Sequence, residues 1–196
     1  MSARLASRLL LATLFGAAIA AVTSSPVSAQ TNGVPEKYDA TAINMGSGPT
    51  GMTRVLITVD RWSTAAERER LLKTLVEKGP EKLLDALQDN PKTGYVRGSA
   101  TLGWDLRYAF QSPLPEGGRR VVLVTDRPMS FTELRNQPRS VDYPFTLIEI
   151  RFNKEGVGVG KMAVRTKIAM SKDKQTIELE NYGIEPVRLT EVRIEK

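Results

Sequence analysis

Apolar and polar residues alternate through much of the second half of the chain. Trp104, Leu106, Tyr108 and Phe110 are interleaved with Asp105, Arg107, Ala109 and Gln111. A period of two sends successive side chains to opposite faces, so this stretch predicts a half-buried strand with its aromatics on the covered side. Ser112–Gly118 interrupts the pattern, because its prolines donate no ladder hydrogen bond and its glycines accept positive φ. Arg119–Thr125 then resumes with the apolar run Val121-Val122-Leu123-Val124, which predicts a strand covered on both faces. These two strands and their turn form the hairpin to which the rest of the fold is added.

Similar alternation recurs on either side. Val55, Ile57 and Val59 mark a strand within Arg54–Trp62, and Tyr95 and Val96 centre another within Lys92–Ala100. Phe145–Phe152 follows, then Val157–Met170 as one long strand. Met162, Val164, Ile168 and Met170 fall on one face of it, and Lys161, Arg165 and Lys167 on the other. Gln175–Glu180 and Val187–Ile194 complete the set. The short spacings favour a meander of antiparallel hairpins. In Val157–Met170, Gly158 and Gly160 allow a bulge or a close backbone approach.

Between residues 64 and 89 the period lengthens to that of a helix. Thr64 and Glu67 form a T-x-x-E capping box. Leu71, Leu72, Leu75 and Val76 then share one face. Gly79-Pro80 stops this helix and starts a second, whose face carries Leu83, Leu84 and Leu87 and which Asn90-Pro91 ends. The charges on both helices mix signs and read as a solvated face. The elements together predict an α+β domain spanning 54–196. Its sheet is mainly antiparallel, has seven or eight strands and is curled or partly closed, with the helical hairpin 64–89 packed against it.

The N-terminal part has a different character. Arg4 and Arg8 precede the apolar run Leu9–Val22, and Val27-Ser28-Ala29 supplies a small-x-small motif. This is the pattern of a secretory signal peptide over 1–29, cleaved after Ala29. The apolar run is shorter than the roughly 20 residues that span a bilayer, and no other stretch equals it, so no transmembrane segment is expected after cleavage. Residues 30–53 are rich in Gly, Asn, Ser, Thr and Pro and read as a flexible lead-in, with at most a short extended piece at Tyr38–Ile43.

Composition narrows the chemistry. The chain has 196 residues, with 41% hydrophobic and 26% charged. That suits one domain held by its core, since there is no cysteine to form a disulfide. A cysteine-free exported chain is expected in a bacterial periplasm or in the extracellular medium. Zero histidine and zero cysteine rule out Ser-His-Asp and Cys-His catalysis, zinc sites built on those ligands, thiol redox chemistry, haem ligation by His or Cys, and iron–sulfur clusters. The net charge of +6 falls to +4 once Arg4 and Arg8 leave with the signal peptide, an excess normal for solubility. No nucleic-acid partner, metal or cofactor is expected. The glycines of Gly156–Met162 do not make a phosphate loop, because Glu155 stands where the first glycine belongs and Met162 where the Ser or Thr belongs.

The remaining candidates are rings, arginines and carboxylates. Trp104 and Tyr108, with Arg107, Arg127, Arg135 and Arg139, are the candidate ligand-binding residues; core packing of Trp104 and local ion pairing of the arginines are the competing readings. They flank 127–144, a long connection bracketed by Pro138 and Pro144, in which Ser130 and Glu133 could cap a short helix near 131–136. Lys161, Arg165 and Lys167 form a second candidate, a face for an anionic partner. Asp60, Asp105, Asp126, Asp142 and Glu149 are carboxylates in or beside strands, available for acid–base work if two share a cleft. With Ile148 and Ile150 inward, Glu149 is exposed. The expected function is an exported, non-enzymatic binding or interaction domain for a small apolar or anionic ligand or an envelope protein. A carboxylate-based hydrolase and a structural envelope protein without a ligand are the alternatives.

Overall fold

The computed structural model describes residues 34–45, 51–79, 81–98, 103–127, 145–163, 167–170, 177–180 and 187–195. The expected leader, the short helix near 131–136, and Arg135, Arg139 and Arg165 lie outside the described residues. Among them are ten strands and two helices: β1 (Glu36–Asn44), β2 (Gly51–Val59), α1 (Ala65–Lys78), α2 (Glu81–Gln88), β3 (Gly94–Gly98), β4 (Trp104–Pro113), β5 (Arg119–Thr125), β6 (Leu147–Phe152), β7 (Val157–Ala163), β8 (Lys167–Met170), β9 (Ile177–Glu180) and β10 (Val187–Glu195).

Eight of the strands close into one antiparallel barrel in the order β1-β10-β7-β6-β5-β4-β3-β2, while β8 and β9, among the described residues, pair with each other in a second sheet. The β-rich α+β expectation holds, but the sheet is closed and not curled or partly closed. Closure comes from β1, which lies in the stretch read as a lead-in. Lys37 pairs with Glu195 on one side and with Thr58 on the other, so the first strand bridges the last and the second. Closing the sheet gives each of these eight strands a neighbour on both sides, although β3 is too short to cover the whole of β2 and β4. A second difference concerns Val157–Met170. That stretch is not one strand: β7 belongs to the barrel, whereas β8 begins at Lys167 and pairs with β9.

Side chains fill the barrel interior. Tyr38, Ile57, Leu106, Leu123, Ile148, Ile150, Phe152, Met162 and Leu189 are each 2% exposed or less and form one core. Eight strands enclose a space that side chains alone can occupy. Close packing has set the sequence here. A Cβ on Gly158 would lie 2.8 Å from the Phe152 ring, and one on Gly160 would lie 2.7 Å from the Glu149 carbonyl oxygen. Both glycines therefore serve close approach, as their place in the strand suggests.

The alternation in β4 breaks at one point. Trp104, Leu106, Ala109 and Gln111 are buried, whereas Tyr108 and Phe110 are half-buried on the other face. The ladder with β5 slips between Leu106 and Tyr108. One extra residue in a strand reverses the facing of everything beyond it. This corrects the expectation of three aromatics on one face: only Trp104 points into the barrel.

The helical hairpin packs outside the barrel, over the face that the slip turns outward. Thr64 caps α1 as expected: its side chain accepts from the Glu67 N–H, and the Glu67 carboxylate accepts from the Thr64 N–H at 2.8 Å. Leu71, Leu75, Leu83 and Leu87 are buried with Val124 and Phe145 in a second core, against which Tyr108 and Leu147 pack. Val121 and Leu123 face the barrel interior and Val124 faces the helices, so β5 is covered on both sides as its apolar run predicts.

Candidate functional site

β3 is short and pairs with β4 only from Gly94 to Val96 opposite Leu106 to Trp104. Beyond Leu106, β4 needs other partners for its backbone. The chain around the helices supplies them. Ser63 and Ala109 exchange two bonds, Ser63 N–H to the Ala109 carbonyl at 2.8 Å and Ala109 N–H to the Ser63 hydroxyl at 3.1 Å. Asn90 donates to the Arg107 carbonyl at 3.2 Å, and the Arg107 guanidinium donates back to the Asn90 carbonyl at 3.1 Å. Both ends of the helical hairpin are thus fastened to β4 at the point where its facing reverses.

The result is a groove of about 350 Å³ between α1 and the outer faces of β4, β5 and β6. Leu71, Leu72 and Leu75 form its helical wall, and Tyr108, Phe110, Val122 and Val124 form its floor. Arg68, Arg120 and Glu149 are also part of its lining. The Arg68 guanidinium lies 5.3 Å from the centroid of the Phe110 ring. Burial pushes the Tyr108 hydroxyl pKa up, and Arg68 beside it pulls partly the other way. Glu149 is held by Arg120 at 3.1 Å and by Arg151 at 3.2 Å. The groove thus offers an apolar bed with the Arg68 guanidinium and an Arg120–Glu149 ion pair at its side.

The residues named from sequence are divided among several places. Tyr108 lines the groove. Trp104 is 6% exposed in the barrel core, with the Arg127 guanidinium 5.9 Å from its ring. Arg127 also donates to the Gly103 carbonyl at 3.0 Å. Arg107 donates to Asp126 at 3.0 Å and lies 3.9 Å from Asp105, which Lys92 also holds at 2.6 Å. Arg127, Asp105 and Asp126 line a smaller polar pocket of about 300 Å³ beside Gln88. Lys161 is exposed on β7, while Lys167 opens β8 in the separate sheet, so the two are not on one strand. Glu149 faces outward, as expected once Ile148 and Ile150 are buried.

Arg68, Leu72 and Val122 were not among the residues singled out as site candidates. A signal for the first two was present: Arg68, Leu71, Leu72 and Leu75 recur at i, i+3, i+4 and i+7 and so share one helical face. Among the described residues no three carboxylates come together as a metal site. The carboxylates of Asp105, Asp126 and Glu149 are each committed to an ion pair. No helix among the described residues is long and apolar enough to cross a membrane. No protein-family model matches the chain. Searches of curated proteins and of solved structures likewise return no match.

Proposed function

We propose that this protein is an exported, non-enzymatic binding module whose ligand is an apolar molecule carrying an anionic group. The observation that carries the reading is the groove between α1 and β4–β6. Its walls are leucine, valine and aromatic rings, and its cations are Arg68 and Arg120, the second of them paired with Glu149. A fatty-acid-like or aromatic anion would bury its apolar body on Leu72, Phe110 and Val122 and set its charge near the guanidinium groups. The filled barrel interior leaves the outer groove as the better place for a ligand of this size. The leader pattern of 1–29 supports a periplasmic or extracellular address.

The carboxylate-hydrolase reading gains less support. Acid–base work needs a carboxyl whose oxygens are available to the reacting group. Asp105, Asp126 and Glu149 are instead each engaged in an ion pair with lysine or arginine.

The test uses 1-anilinonaphthalene-8-sulfonate, an apolar anion, as probe. Protein starting at Gln30 should bind it saturably with one site, and Val122→Trp, which fills the floor of the groove, should abolish that site. Arg68→Ala should weaken binding by roughly tenfold, the loss of one ionic hydrogen bond. Binding unchanged in Val122→Trp would reject the groove as the site.

A further inference from the structure

A second surface lies on the outer face of β6, β7 and β10. Outward-facing residues of β7 are Val157, Val159 and Lys161. Both valines are uncovered, at 50% and 61% exposure. Cations stand across from them: Arg151 sits opposite Val159, Arg193 opposite Val157 and Arg188 opposite Lys161, while Glu149 faces Lys161 from β6 and Asp39 faces Arg193 from β1. Val159, Arg151, Lys161 and Arg188 line one depression of about 710 Å³. It adjoins the β10 bulge between Leu189 and Val192, where Glu191 adopts a φ of 52°. The carboxylate inside the depression, Glu149, is already held by Arg120 and Arg151. Lys161 and Arg188 therefore keep positive charge to offer a partner.

We propose that this face docks on an anionic lipid bilayer. Lys161 and Arg188, with Arg193 and the ion-paired Arg151 beside them, border two exposed β-branched side chains, and a bilayer surface rewards both features at once. Anionic headgroups attract the lysine and arginines, while the valines leave water for the boundary between headgroup and acyl chain. A soluble polyanion would reward the charges alone. The surface adjoins the groove at Glu149, which lines both, but its valines, Lys161 and Arg188 lie outside the groove.

The test is cosedimentation with vesicles, using protein starting at Gln30, which contains every barrel strand. Vesicles of phosphatidylcholine alone are compared with vesicles of equal parts phosphatidylcholine and phosphatidylglycerol. The wild type should sediment only with the anionic vesicles. The double variant K161E/R188E should lose at least about 25-fold in partition, at roughly a factor of five or more for each of the two cations removed. K73E/K82E, with the same change in net charge placed on the two helices, should bind like the wild type. V157S/V159S, with no change in charge, should bind more weakly than the wild type. Circular dichroism confirms that each variant is folded, and R188E alone replaces the double variant if that one is not. Equal losses in the patch and helix variants would reduce the effect to net charge and overturn the proposal. So would wild-type binding by V157S/V159S, which marks a site for soluble polyanions, or failure of the wild type to sediment.

Discussion

Arg119 holds Glu36 across 83 positions of sequence and so joins the β4–β5 hairpin to the first strand of the barrel. The two side chains are only 17% and 12% exposed. Arg119 also donates to Gln111 at 2.6 Å, and its guanidinium lies 5.2 Å from the Phe152 ring. Tyr38 donates its hydroxyl to Glu36 at 2.7 Å, and burial, reinforced by that carboxylate, pushes the tyrosine pKa far up. This polar knot closes one end of an otherwise apolar interior.

Removing one partner of the knot strands the other. Arg119→Met is expected to cost roughly 2–3 kcal/mol, the range for hydrogen bonds to charged groups that lose their partner. Adding Glu36→Leu should recover part of that loss, because the uncompensated carboxylate is then gone. Urea denaturation of the single and double variants measures both. Equal stability of Arg119→Met and wild type would mean that the knot contributes nothing.

The reversal of facing in β4 separates two neighbouring positions by their tolerance. Ala109 points into the filled barrel and is fully buried. Ala109→Leu should cost about 1–3 kcal/mol through overpacking. Tyr108, on the outer face under the helices, should accept leucine for under about 1.5 kcal/mol. Thermal unfolding of the two variants ranks them, and the reverse ranking would place the slip elsewhere.

Acid should weaken the fold through two identified carboxylates. The Arg54 hydrogen bonds hold Asp39 below its ordinary pKa of 3.8. For Glu67, burial alone would raise the value, but Arg61 and the Thr64 N–H outweigh it and hold it below its ordinary 4.5. A depressed folded-state pKa means that the unfolded chain binds more protons in this window. Stability from these groups is therefore full above the ordinary values and is lost as pH falls through the folded ones. Urea midpoints followed from neutral pH to about pH 3 should decline, and Glu67→Gln should flatten the slope. Thr64→Ala should cost about 1 kcal/mol at neutral pH by removing the cap. An unchanged pH slope in Glu67→Gln would contradict the assignment.

The local parts of this fold were legible in the chain. Thr64 and Glu67 gave the start of α1, Gly79 its end, and the Val55, Val121 and Ile148 stretches their strands. What depends on distant pairing was not legible. Closure rests on Lys37 meeting Glu195, and no local pattern in β1, a strand that runs into a Gly-rich segment, announces that partner. The slip at Arg107 is likewise a property of the β4–β5 ladder, since the alternating sequence continues through it unbroken. The groove inherits this difficulty. Its floor exists because Tyr108 and Phe110 turn outward, and its wall because Ser63 and Asn90 fasten the helices at that place.

Native mass spectrometry of protein purified gently from an exported source tests the binding reading most directly. The account predicts an added mass on the wild-type chain that disappears on denaturation and is missing from Val122→Trp. A bare wild-type chain, or an added mass that Val122→Trp retains, would contradict it.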